Sequence, residues 1–191
     1  MGAIDDPLRL ARHRLTVADY YRMAEAGVLA PDARVELIEG EIIAMAAIGT
    51  RHASTVGRWL RAATTAVGSR AFVWVQNPVR PSNLSELEPD LMLFKPRADF
   101  YAEAHPSAAD VLLLIEVADP SARDDREIKL PRYARHGVSE VWIVDLEARL
   151  LRLYREPASE AYGHCSTTAS PGLTAVAALP GVEIDLAQIL G

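Results

Sequence analysis

The run Val111–Ala118, VLLLIEVA, constrains the fold more than any other stretch of this chain. Apolar almost throughout, it has no polar face to give to water. It therefore reads as a central strand covered on both sides, which requires a sheet with layers above and below. Its one acid, Glu116, is costly to bury uncompensated. A metal ion or an arginine in a structural ion pair would answer that charge.

The remaining sequence supplies candidate layers. Thr16 and Asp19 have the spacing of a capping box and Gly27 offers a stop, so a short helix is expected over residues 17–26. In RVELIEGEIIAM two apolar runs flank Glu39-Gly40, the pattern of a β-hairpin. Over residues 51–67 the apolar positions Ala53, Val56, Leu60, Ala63 and Val67 recur at helical spacing, closed by Gly68. Arg51, Arg58 and Arg61 lie off that stripe, facing solvent or a polyanion. AFVWVQNPV and PDLMLF (residues 89–94) read as strands. DDREIKLPRYARHG predicts a helix begun by Asp124 or Asp125 and ended by Gly137, kinked or delayed by Pro131. VSEVWIVDL and RLLRLYRE form a second hairpin about Glu147-Ala148. Residues 157–171 are polar and loop-like, with Cys165 an idle thiol among them. A strand at VEI and a short helix begun at Asp185 close the chain. Trp59, Trp74 and Trp142 fall on core elements.

This order predicts an α/β protein of the mixed-sheet (α+β) kind: a central mixed β-sheet flanked by helices, with an N-terminal helix and β-hairpin. At 191 residues a single domain over 1–191 is expected, its first 15 residues loose. One cysteine makes no internal disulfide, and neither a secretory segment nor a membrane-spanning apolar run is evident, so the expectation is a cytoplasmic protein. A formal net charge of −6 works against a nucleic-acid partner, which would have to be held by local arginines.

Asp90, at the start of PDLMLF, supplies a second carboxylate that an adjacent strand can bring beside Glu116. Two carboxylates, a backbone oxygen such as that of Val117, and water make a hard-oxygen site for Mg2+ or Mn2+. Hydrolysis of a phosphodiester is the chemistry such a site serves. Lys129, in the first turns of the following helix, has the reach to stabilise phosphate charge or position the attacking water. On the other reading Asp90 simply begins a surface strand. G-x-S-x-G, H-E-x-x-H, Walker and paired C-x-x-C motifs are absent, so triad hydrolase, zincin, nucleotide-loop and zinc-ribbon readings lack their key residues.

The run IEVADPSARDDREIKLPRYARHGVSEVWIVDLEARLLRLY, with RVELIEGEII and EPDLMLF upstream, resembles the Uma family of restriction-endonuclease-like proteins (the DUF820 type), a branch of the PD-(D/E)xK nuclease superfamily. The resemblance implies a restriction-endonuclease-like core and a magnesium-dependent endodeoxyribonuclease. Asp90 matches the acid of the PD signature and Glu116 that of the (D/E)xK strand. Ala118 stands where the motif has its lysine, so that role passes to Lys129, with Asp125 four residues before it. Glu36 and His52 match positions that recur in the family. Glu36 either adds an acid, holds the lysine, or faces solvent from its hairpin. His52 either donates to a phosphate, pairs with a carboxylate, or is a helix cap or surface residue, and Asp125 reads as an N-cap. DNA would be held by Arg51, Arg58, Arg123 and Arg126. A homodimer is expected, with the Trp142 strand and the apolar C-terminal segment offering its surface. The rivals are a catalytically silent binding or assembly module and a nuclease acting on RNA.

Overall fold

The computed structural model describes residues 12–118, 123–170 and 172–190, the side chains of 123–127 excepted. The side chains of Arg123, Asp124, Asp125 and Arg126 thus fall outside the described residues.

The chain opens with helix α1 (Val17–Glu25), where Asp19 N–H donates to Thr16 Oγ1 at 3.2 Å and Thr16 N–H returns the bond to the Asp19 carboxylate at 2.9 Å. Strands β1 (Val35–Ile38) and β2 (Glu41–Ala44) pair antiparallel about a turn in which Glu39 and Gly40 both have positive φ. Helix α2 (Thr50–Val67) follows, then β3 (Phe72–Val75), β4 (Val79–Ser82), β5 (Ser85–Leu87), β6 (Leu91–Phe94) and, after one 3-10 turn, β7 (Val111–Ala118). Helix α3 (Arg123–Arg135) joins β7 to β8 (Glu140–Asp145). Next come β9 (Leu150–Pro157), β10 (Tyr162–Thr168), β11 (Leu173–Ala175), β12 (Glu183–Asp185) and α4 (Ala187–Leu190).

Six strands form the central sheet in the order β10-β9-β8-β7-β6-β3. The pair β7 and β8 is parallel and its neighbours are antiparallel, so the sheet is mixed. A parallel pair needs a crossover, which α3 supplies. Alternation along the strands divides the core in two. Leu113, Ile115, Val117 and Val144 face α2 and the C-terminal elements. Leu114, Ala118 and Ile143 face Tyr133 of α3 and a second, four-stranded sheet of order β2-β1-β5-β4. Helix layers therefore lie on both faces of β7, as its apolar sequence requires.

Four expectations need correction. The buried stripe of α2 runs through Val56, Trp59, Ala63 and Val67, joined by Thr55 and Ala62. Ala53 and Leu60 lie on the outside, Leu60 being 40% exposed. Trp59 docks against Trp142, ring centroids 5.8 Å apart, and this contact sets the rotation of the helix. Second, residues 162–168 are strand rather than loop: β10 pairs with β9 and places Cys165 opposite Tyr154. Most of its side chains face water from the sheet edge, so no apolar alternation marks it as a strand. Third, α3 already contains Asp124 and Asp125, so neither sits at an N-cap, and the helix passes through Pro131 to Arg135. Fourth, the Trp142 strand offers no surface for a dimer. Trp142 is 0% exposed, and Ile189 and Leu190 of the C-terminal segment are buried in the same core. Among the described residues no helix is long and apolar enough to cross a membrane.

Candidate active site

Register brings the two acids together. Leu91 of β6 lies opposite Ile115 of β7 in an antiparallel pair, so Asp90, one residue earlier, falls beside Glu116, one residue later. Alternation turns Asp90 to the side of Met92 and Phe94, and Glu116 to the side of Leu114 and Ala118, which is the α3 face for both. The Asp90 N–H donates to Glu116 Oε2 at 3.3 Å, and the Val117 N–H donates to Asp90 Oδ2 at 2.8 Å. From the N-terminal turn of α2, His52 places Nε2 2.8 Å from Asp90 Oδ1. Asp90 is thus gripped at both carboxylate oxygens and at its own amide.

Glu116 is only 8% exposed, and its Oε1 accepts the Tyr133 hydroxyl at 2.6 Å. Burial lifts its pKa to about 7; the positive charge of Lys129 opposes the rise and the negative charge of Asp90 adds to it. Burial together with the charge of Glu116 pushes the Tyr133 phenol well above its ordinary range, so it stays a donor. Lys129 is 7% exposed, and its Nζ stands 2.8 Å from Glu36 Oε1. The same Glu36 oxygen accepts the Glu88 N–H at 2.7 Å. Burial and the neighbouring Glu36 also raise the Glu88 pKa.

Glu36, His52, Asp90, Glu116 and Lys129 therefore meet in one region, although they come from β1, α2, the entry to β6, β7 and α3. Glu36 holds the lysine, and its solvent-facing alternative is excluded by its 3% exposure. His52 is neither a cap nor a free surface group, because it pairs with a carboxylate. Val117 contributes its N–H. Sequence reasoning passed over Tyr133, which lies four residues after Lys129 on the same helix face; that spacing was the available signal.

Among the described residues no three His, Cys, Asp or Glu side chains are grouped as a metal site. What is present is a pair of neighbouring acids, the Asp90 N–H bonding the Glu116 carboxylate, which burial lifts to a pKa of about 7. That donor set fits a hard divalent ion that keeps several of its own waters and takes one or two carboxylates.

The mixed sheet with helices on both faces is a fold shared with a solved structure. A crystal structure of "a putative nuclease belonging to DUF820" from Anabaena variabilis superposes with a TM-score of 0.70, covering 92% of this chain and 97% of that one at 15% sequence identity. The family model Uma2, described as "Putative restriction endonuclease", matches residues 17–187. The chain belongs to that family. Comparison with curated proteins finds no match.

Proposed function

We propose that this protein is a divalent-metal-dependent endonuclease that hydrolyses DNA phosphodiester bonds at Asp90 and Glu116. The observation that carries the reading is the direct contact of these two acids across β6 and β7, with the ammonium of Lys129 acting on the same buried carboxylate. Asp90, Glu116 and the carbonyl oxygen of Val117 would hold Mg2+ or Mn2+. When bound, the ion supplies polarisation of a phosphoryl oxygen and acidification of water. The chain's own groups do the rest. Val117 N–H and His52 fix the Asp90 carboxylate, and Tyr133 fixes that of Glu116. Glu36 aims Lys129, ready to offset negative charge that develops on the phosphate oxygens. Cutting both strands of a duplex with one site per chain calls for two copies, so the reading includes a homodimer. A cytoplasmic setting belongs to the same reading, Cys165 being a free thiol.

Truncating one member of a buried ion pair costs about 3–5 kcal/mol, so shape-conserving variants are needed to test function rather than folding. In plasmid nicking with magnesium or manganese, Asp90→Asn, Glu116→Gln and Lys129→Met should each lose on the order of 100-fold or more in rate while retaining a cooperative melt. An intact protein that never cuts points to the silent binding module, and one that cuts RNA but no plasmid moves the substrate to RNA. Equal cutting by all four proteins would remove the assignment of the site.

A further inference from the structure

A cavity of about 280 Å³ opens where α2 meets the turn between β8 and β9. Three guanidinium groups line it: Arg51 and Arg58 from α2, one face apart by seven residues, and Arg149 from the turn. In several places this acidic chain ties its arginines to carboxylates: Arg80 to Glu86, Arg97 to Asp99, Arg135 to Glu39 and Glu160, Arg155 to Glu140. Here it does not. Arg51 donates to the Leu146 carbonyl, and Arg149 donates to the Leu190 carbonyl at 3.0 Å. A neutral oxygen orients a guanidinium without cancelling its charge. Arg58 is exposed on the outer face of the helix.

The one acid in the lining, Asp145, is engaged by other groups. Its carboxylate accepts Arg152 Nη1 at 3.1 Å and the amides of Glu147 and Ala148 at 3.2 and 2.9 Å. The hydroxyl-bearing residues Ser54 and Thr55 complete the wall. The cavity therefore gathers three arginines against one acid in a chain whose formal net charge is −6. Its place is equally specific. Arg51 faces the cavity while its neighbour His52 bonds Asp90, so both sites share the N-terminal turn of α2. Asp145 pairs in register with Ala118, two residues, or about 7 Å, beyond Glu116 along the same strand.

We propose that this cavity is a phosphate pocket, seating a backbone phosphate of the DNA strand beside the one presented to Asp90 and Glu116. This deepens the nuclease reading and rests on it for the identity of the ligand. Arg51, Arg58 and Arg149 supply the charge that the rest of the molecule lacks, and they set where along the strand the reacting phosphate lies.

The test is DNA binding by fluorescence anisotropy in EDTA, where nothing is cut, as a function of salt. Labelled probes are a 5′-phosphorylated single-stranded oligonucleotide, its 5′-hydroxyl counterpart and a closed single-stranded circle. Arg58→Gln and Arg149→Gln, both at exposed positions, should bind several-fold more weakly and lower the log–log salt slope by about 0.7 each. Arg70→Gln, an equal charge change at an arginine bonded to the Pro180 carbonyl beyond the opposite end of α2 from Arg51, should leave both unchanged. The same loss on the circle marks an internal phosphate, and loss confined to the 5′-phosphorylated probe marks a terminal one; either supports the pocket. An equal effect of Arg70→Gln, or no effect of Arg58→Gln and Arg149→Gln, overturns it. Arginine-dependent binding by an intact protein that never nicks plasmid keeps the pocket and removes the nuclease reading. Cutting that depends on Asp90 and Glu116, with binding indifferent to both arginines, does the reverse.

Discussion

A carboxyl group with a pKa of about 7 in the middle of a strand is a stability problem before it is a chemical asset. For Glu116 the folded value lies above the ordinary 4.5, so between these values the folded chain binds more protons than the unfolded chain. Its contribution is then fully favourable below about 4.5 and is lost as pH rises through about 7. Urea denaturation of the metal-free protein across that range should show stability falling with pH, and Glu116→Gln should remove this part of the fall. Parallel profiles for the two proteins would mean that Glu116 ionises freely. At this scale most of the site was legible: an acid inside VLLLIEVA is anomalous on solvation grounds alone. Tyr133 was not legible, because a tyrosine on a helix has many uses until the hydroxyl is seen 2.6 Å from a carboxylate.

At the scale of elements, α2 shows how much a helix depends on what it packs against. Periodicity located it and its two ends, yet the choice among overlapping apolar stripes was made by the fit of Trp59 to Trp142. Trp59→Ala should therefore cost about 3–5 kcal/mol, whereas Leu60→Ala should stay within about 0.5 kcal/mol of wild type. Thermal or urea melts of the two variants check this, and a Leu60→Ala loss as large as that of Trp59→Ala would refute the packing. Strand β10 makes a related point. Its edge position exposes nearly every side chain, so the pairing with β9 that creates it left no imprint on local hydrophobicity.

For the whole molecule, the charge arrangement matters more than the total. Several arginines distant from the site, Arg80 and Arg155 among them, are paired with carboxylates, while Arg51 and Arg149 at the α2 and β8–β9 cavity are held by carbonyls. An acidic protein can thus present a local positive face. Association is the other question at this scale. With Trp142, Ile189 and Leu190 buried, a dimer must use a different surface, and light scattering during size exclusion should give twice the 20.8 kDa chain mass. A monomer mass at tens of micromolar would end that expectation. The sequence by itself determined the class of fold, the central strand and the acids worth watching, because burial and periodicity are written in local composition. Only the tertiary structure decided which groups touch: strand register set Asp90 beside Glu116, α3 brought Lys129 and Tyr133 over them, and the β1 hairpin delivered Glu36. Those contacts join residues far apart along the chain, and their geometry depends on how whole layers pack, which no local window contains.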